Sequence, residues 1–152
     1  MNKILYIILF ILPLVSGYSA SYLYPTDKNV GSSNPVTPPP WVFGVVWSIL
    51  YILIGISWIL MRKKKIDKKS RTFIIDSLFI TLVILLFMWI YVANRLKKYT
   101  YAYYLIVIIS TIAFSLATIA HSLHEPYILL WTPFIAWITI ASKLNYSIAY
   151  TV

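Results

Sequence analysis

Cysteine is absent from this chain of 152 residues, and only four residues are acidic. Without cysteine there is no disulfide framework, no thiolate metal site and no cysteine nucleophile. The sequence also lacks a glycine-rich loop for phosphate, and no apolar stretch carries a paired His or carboxylate set. A conventional hydrolase or a nucleotide-driven pump is therefore not expected.

Apolar residues, in contrast, dominate: 61% of the chain is hydrophobic and its mean hydropathy is +0.81. Each of its long apolar stretches can cross a hydrocarbon core of roughly 30 Å as a helix. Backbone groups cannot stay unpaired in lipid, and the alternation typical of a barrel strand is missing. We therefore predict an all-α integral membrane protein, multi-pass, with one bundle of five transmembrane helices over residues 1–152. The predicted spans are residues 4–24, 41–61, 72–92, 100–120 and 126–150.

The first span has a second interpretation. Lys3, the apolar run from Ile4 to Val15 and the small residues Ser19 and Ala20 resemble a secretory signal peptide. Apolar character continues through residues 22–24, however, and this favours a membrane-spanning segment.

The net charge of +9 is concentrated in two predicted loops, residues 62–71 and 95–98. Such clusters favour anionic lipid headgroups as partners over nucleic acid. With five spans, Lys3 and the larger cluster lie on one face of the membrane. The positive-inside rule then predicts a cytoplasmic amino terminus.

The longest predicted loop, residues 25–40, ends in three consecutive prolines. Proline favours a stiff extended segment and cannot continue a preceding helix. The loop is either a rigid spacer or a lid over a membrane cavity, and its length favours the lid.

Several tryptophans lie inside their spans instead of at the ends, where aromatic residues usually anchor the headgroup level. In the last span Trp137, Ala141, Leu144 and Asn145 share one helical stripe. Gly44, Trp47 and Tyr51 share a stripe in the second span. The two faces predict either an aromatic slot for a flat apolar ligand or ordinary helix packing through small residues.

The segment from Pro38 to Tyr51, PPPWVFGVVWSILY, resembles the signature of the translocator protein family, also known as peripheral benzodiazepine receptors or tryptophan-rich sensory proteins. The segment from Pro133 to Trp137, followed by Ala141 and residues 144–145, is similar to the fifth-helix motif of that family. The chain departs from the family pattern at Val36 and at residues 85–86 and 93–94, where the family has other residues.

The resemblance implies a membrane receptor-like protein that binds porphyrins such as protoporphyrin IX, with cholesterol as a further ligand of mammalian relatives. It implies no obligatory cofactor. It also implies light-dependent porphyrin breakdown as an alternative, enzymatic role in which Trp47 and Trp137 would be the catalytic residues. The ligand-binding residues carried over from the family are Trp41, Gly44, Trp47, Trp89, Tyr101, Trp137, Ala141, Leu144 and Asn145.

The remaining alternatives are a sterol-binding or lipid-binding transporter and a membrane scaffold. A reversed sterol pattern runs from Lys143 through Tyr146 to Val152, and small residues on the first and fourth spans permit a homodimer. Few polar residues lie at mid-depth and no paired half-length helices occur, which counts against transport.

Ionisable residues inside the spans are rare. Asp76 is the one acid within a span, and its nearness to Arg71 and the basic loop predicts an ion pair at the membrane interface. His121, His124 and Glu125 are too loosely spaced to predict a metal site, so none is expected.

Overall fold

The computed structural model describes residues 3–27, 37–64, 69–123 and 125–151. Five long helices run through these ranges, and all five are long and apolar enough to cross a membrane. The predicted fold class and multi-pass membrane localisation are therefore confirmed. The helices are α1 (Lys3–Leu23), α2 (Pro40–Lys63), α3 (Lys69–Ile90), α4 (Tyr99–Leu123) and α5 (Thr132–Thr151).

Two helix ends differ from the predicted spans. A π-helical turn, Tyr91–Arg95, extends α3 beyond Ile90. The predicted span from residue 126 begins instead as a 3₁₀ helix, Glu125–Leu130, and α5 starts only at Thr132. Proline has no N–H to donate and is tolerated in the first turn of a helix, which explains why Pro40 opens α2.

The helices pack in the order α2, α1, α3, α4, α5, each against the next. Small residues allow the closest approach: a Cβ added to Gly55 of α2 would lie 2.7 Å from the carbonyl oxygen of Phe10 in α1. In α4, Ala102, Ala113 and Ala120 are wholly buried. Small residues at such positions let membrane helices pack backbone to backbone. The bundle covers these residues, whereas Ser21 of α1 and Ser115 of α4 are exposed; the homodimer stays a prediction.

Large apolar side chains cover the outside of the bundle on every helix, among them Ile7, Ile49, Phe73, Phe114 and Ile140. In water such a surface would drive aggregation. In a bilayer it contacts lipid chains, so the bilayer is a structural partner of this protein.

A cluster of polar side chains lies where α2 ends and α3 begins. Arg62 Nη1 is 3.2 Å from Asp76 Oδ2, and the indole N–H of Trp58 donates to Asp76 Oδ1 at 2.8 Å. The ion pair predicted between Asp76 and the basic residues of this loop is therefore present, and its partner is Arg62. Arg62 in the last turn of α2 faces Asp76, two turns into α3, across the helix pair. Arg71 lies five residues before Asp76 on the same helix.

Candidate functional site

A cavity of about 600 Å³ opens between α1, α2, α3 and α5, at the end of the bundle that carries the α1–α2 and α3–α4 loops. Aromatic and small apolar side chains form its walls, and most of its polar groups belong to the two loops and to α1. The lining includes Gly17, Tyr18, Thr26, Asp27, Pro38, Pro39, Phe43, Gly44, Trp47, Ser48, Tyr51, Trp89, Ala93, Asn94, Ala141, Leu144 and Asn145.

Trp47 is the centre of the aromatic wall. Its ring stacks on Tyr51 at 5.7 Å between centroids and lies tilted against Trp89 at 5.6 Å. Phe134 closes the inner side, edge-on to Trp47 at 6.3 Å. Each such ring pair adds about 0.5–1.5 kcal/mol beyond area burial, so the wall is held firmly.

Hydrogen bonds fix the rings that carry polar atoms. The indole N–H of Trp89 donates to Asn145 Oδ1 at 3.1 Å, and Asn145 Nδ2 donates to the Ala141 carbonyl at 2.8 Å. This pair ties α3 to α5 across the cavity. A buried indole without an acceptor would be costly, so the amide also sets the orientation of the Trp89 ring.

A second link joins α1 to α2. Ser48 Oγ donates to the Gly44 carbonyl at 2.7 Å, and Tyr18 Oη lies 2.6 Å from the same Ser48 oxygen. A hydroxyl has one hydrogen, so Tyr18 is the donor in the second bond. The result is a small polar patch on an otherwise apolar wall.

The mouth of the cavity is tied across its two loops. Asn94, within the π-helical turn, donates through Nδ2 to the Tyr24 carbonyl at 2.8 Å and to Thr26 Oγ1 at 3.1 Å. Lys97 Nζ lies 3.5 Å from Asp27 Oδ2. Lys97 has a positive φ of 52°, a conformation that is rare outside glycine and that turns the chain sharply here. These contacts hold the start of the α1–α2 loop beside the opening.

Of the predicted lid, residues 25–40, the structure describes the two ends, residues 25–27 and 37–40. Thr26 and Asp27 line the cavity at one end and residues 37–40 line it at the other. Residues 28–36 lie outside the described part of the chain. Closure of the cavity by this loop stays a prediction.

Six of the nine predicted binding residues line this cavity: Gly44, Trp47, Trp89, Ala141, Leu144 and Asn145. The other three do not. Trp41 is 70% exposed on the outer side of α2, and Tyr101 is 63% exposed on α4 beneath the Lys98 ammonium. Trp137 lies one turn deeper than Ala141, and its ring meets the edge of Phe43 at 5.5 Å.

Trp137 has one further property. Its indole nitrogen is buried and has no hydrogen-bond partner among the described residues. Phe43, which lines the cavity, contacts the Trp137 ring, but Trp137 itself is not part of the lining. The Trp47 ring lines the cavity directly.

Tyr51, on the predicted stripe with Gly44 and Trp47, also lines the cavity. Other lining residues were not predicted. Asn94 and Tyr18 come from the opposite loop and from α1, and no local pattern marks them. Lys143 and Tyr146 of the reversed sterol pattern are exposed on α5, outside the lining. No group of three metal-ligating side chains occurs within the described ranges.

Comparison with known proteins gives two matches. The TspO/MBR family matches residues 4–151 of the chain. A tryptophan-rich protein TspO from Archaeoglobus fulgidus is 31% identical over 141 residues, which cover 89% of this chain and 88% of the archaeal protein.

Proposed function

Because the chain belongs to the TspO/MBR family, we propose that it binds a tetrapyrrole such as protoporphyrin IX, or a similar flat hydrophobic molecule, between its helices. The observation that carries this proposal is the aromatic wall of the cavity. Trp47 and Trp89 stand side by side in it, and most of the exposed lining surface is apolar. A site with this character suits a flat apolar ligand.

Size and polarity support the proposal. The cavity volume of about 600 Å³ lies within the range of about 300–1,000 Å³ that is usual for small-molecule sites. The macrocycle would lie against the indole rings and its carboxylates would point to the mouth. There the Thr26 hydroxyl, which accepts from Asn94 Nδ2, keeps its own hydrogen to donate.

A cavity-filling substitution tests this site against a matched control. Ala141→Phe places a ring inside the cavity, whereas Ala136→Phe adds the same ring to the exposed face of the same helix. We expect protoporphyrin IX to quench tryptophan fluorescence saturably in the wild type and in Ala136→Phe, with micromolar affinity or better. Ala141→Phe should lose most of this binding. Equal affinity in both variants, or no saturable binding in the wild type, would contradict the proposal.

The second candidate function is light-dependent porphyrin breakdown, supported by the presence of Trp47 in the lining. An indole beside a photoexcited porphyrin can donate an electron or hydrogen. Illuminated complexes should form a new absorbing product, more slowly in Trp47→Phe and with nearly unchanged affinity. Trp137→Phe is predicted to slow the reaction as well. An unchanged rate in both variants would leave a binding protein only.

For the basic end of the bundle we propose anionic lipid headgroups as partners. Arg62, Lys63, Lys64 and Arg71 lie at the facing ends of α2 and α3, and the Lys63 ammonium lies 4.9 Å from the ring centroid of Tyr6. Each cation near an anionic surface contributes about 1 kcal/mol. Thermal stability should rise in phosphatidylglycerol nanodiscs relative to phosphatidylcholine nanodiscs, and added salt should cancel the difference.

A further inference from the structure

A continuous series of aromatic rings leads from the cavity to the opposite end of the bundle. From Trp47 it passes to Phe134 at 6.3 Å between centroids and then to Trp131 at 5.8 Å. It continues to Phe79 at 5.8 Å and ends at Trp58, whose ring stacks on Phe79 at 5.0 Å and 4°. These five rings are called the ring series below. Trp47 and Trp58 are eleven residues apart on α2, about 16 Å along a helix.

The far end of the series carries a proton acceptor. Trp58 is 1% exposed, and its N–H donates to Asp76 Oδ1 at 2.8 Å. Asp76 in turn contacts Arg62, and these two side chains are 23% and 20% exposed. The carboxylate therefore sits between a buried indole and the membrane boundary.

Packing accounts for ring contacts but not for this order of side chains. Indole is among the most easily oxidised side chains, whereas phenyl rings conduct electrons only as bridges. The series alternates the two kinds, with indoles at both ends and in the middle. Its middle indole, Trp131, donates to the hydroxyl of Ser57 at 2.9 Å. A hydroxyl is a poor base, so only the terminal indole has a partner able to take its proton.

We propose that the ring series conducts an electron from Trp58 to Trp47. A one-electron oxidant in the cavity, formed when a light-excited tetrapyrrole gives an electron to dioxygen, takes an electron from Trp47. Trp131 then reduces the oxidised Trp47 by one electron, and Trp58 reduces the oxidised Trp131 in the same way. The N–H proton of Trp58 passes to the Asp76 carboxylate. The sum is one electron moved from Trp58 to dioxygen, giving superoxide, a neutral Trp58 radical and a protonated Asp76.

The consequence is that oxidising charge leaves the cavity and is held at the other end of the bundle. This role in the photochemistry of a bound ligand rests on the proposed tetrapyrrole site. Electron transfer along the ring series does not depend on that site, so it can be tested with an oxidant that needs no binding site.

The absence of native cysteine makes such a test simple. A Cβ added at Gly44 meets nothing within 4 Å, and Gly44 lies one turn before Trp47 on α2. Gly44→Cys can therefore carry a ruthenium tris-bipyridine photo-oxidant, with persulfate as the final electron acceptor. Trp41→Phe, in the same background, removes the exposed indole nearest to the label. The resulting double variant is the reference protein.

Flash photolysis of the reference protein should give a long-lived neutral indolyl radical, which absorbs differently from the protonated radical. Asp76→Asn keeps an oxygen for the Trp58 N–H but removes the proton acceptor. A positioned acid or base speeds a proton transfer by about 100-fold or more, so the neutral radical should form more slowly by about that factor. Trp131→Phe should confine the radical to Trp47 and the two oxidisable rings beside it, Trp89 and Tyr51. The signal should then be insensitive to Asp76→Asn.

Ser57→Ala is the matched control. It removes the hydrogen bond that Trp131→Phe also removes, but it leaves every ring in place. It should behave as the reference protein. If Trp131→Phe keeps the reference signal, or if Ser57→Ala lowers the signal equally, the proposed path is wrong. Failure of protoporphyrin IX to bind would refute only the tetrapyrrole site, because the tethered oxidant reports on the path independently.

Discussion

The hydrogen bond between Trp89 and Asn145 offers a sharp test of how the cavity wall is held. Asn145→Leu keeps the number and branching of the side-chain heavy atoms but removes both the acceptor for the Trp89 N–H at 3.1 Å and the donor to the Ala141 carbonyl at 2.8 Å. The indole is then left without its partner while the ring contacts of Trp89 remain possible.

The size of the effect follows from two limits. An unpaired buried donor costs about 1–3 kcal/mol in soluble proteins. Interhelical hydrogen bonds in membranes average about 0.6 kcal/mol and reach about 1.7 kcal/mol. Trp89 and Asn145 are only half-buried beside the cavity, so the lower range applies. We expect Asn145→Leu to lower the free energy of unfolding by about 1 kcal/mol.

A double-mutant cycle isolates this bond from other effects of the substitution. In a Trp89→Phe background there is no indole N–H that could lose its acceptor. Asn145→Leu should therefore lower the free energy of unfolding by about 0.6 kcal/mol less there than in the wild type. The assay is reversible unfolding in mixed micelles with rising SDS fraction. Thr139→Val is the control, because it removes a bond of 2.8 Å from an exposed side chain to the backbone of the same helix. Equal costs of Asn145→Leu in both backgrounds would refute the role given to the bond.

Two further predictions concern the helix contacts and the cavity mouth. Gly55→Ala should destabilise the bundle by about 1–3 kcal/mol, because the added methyl group meets the α1 backbone. Gly44→Ala, whose methyl group meets nothing, should not reduce stability in the same unfolding assay. Asn94→Ala should speed dissociation of protoporphyrin IX in a stopped-flow experiment, since it releases two contacts to the α1–α2 loop. Lys97→Met should have a smaller effect, because exposed ion pairs contribute only about 0–1 kcal/mol.

The fold could be predicted because length and hydropathy alone define membrane helices. Each predicted span coincides with an observed helix to within a few residues at most ends. The start of α5 is the exception. The apolar run from residue 126 carries no signal for the change from a 3₁₀ to an α-helix, since that change depends on how the segment packs on α4.

The site could be predicted in part. The rotation of each helix about its axis decides which of the predicted residues line the cavity and which do not. Trp47 and Gly44 share a stripe that faces the cavity, whereas Trp41, in the first turn of α2, is exposed and lies outside the lining. Tyr101 precedes the buried Ala102 and so points outwards. A motif identifies which residues belong to a family pattern, but only the packing angle of each helix decides which of them face one another.

α4 explains how the cavity and the rest of the bundle depend on one another. The helix faces inwards with alanine and isoleucine side chains, among them Ala102, Ile106 and Ile109, that are wholly buried. It packs on both α3 and α5, which carry Trp89 and Asn145. A larger residue on this face would separate the two helices and lengthen their hydrogen bond. The shape of the cavity therefore depends on small side chains that never touch a ligand, because they fix the spacing of the helices that do.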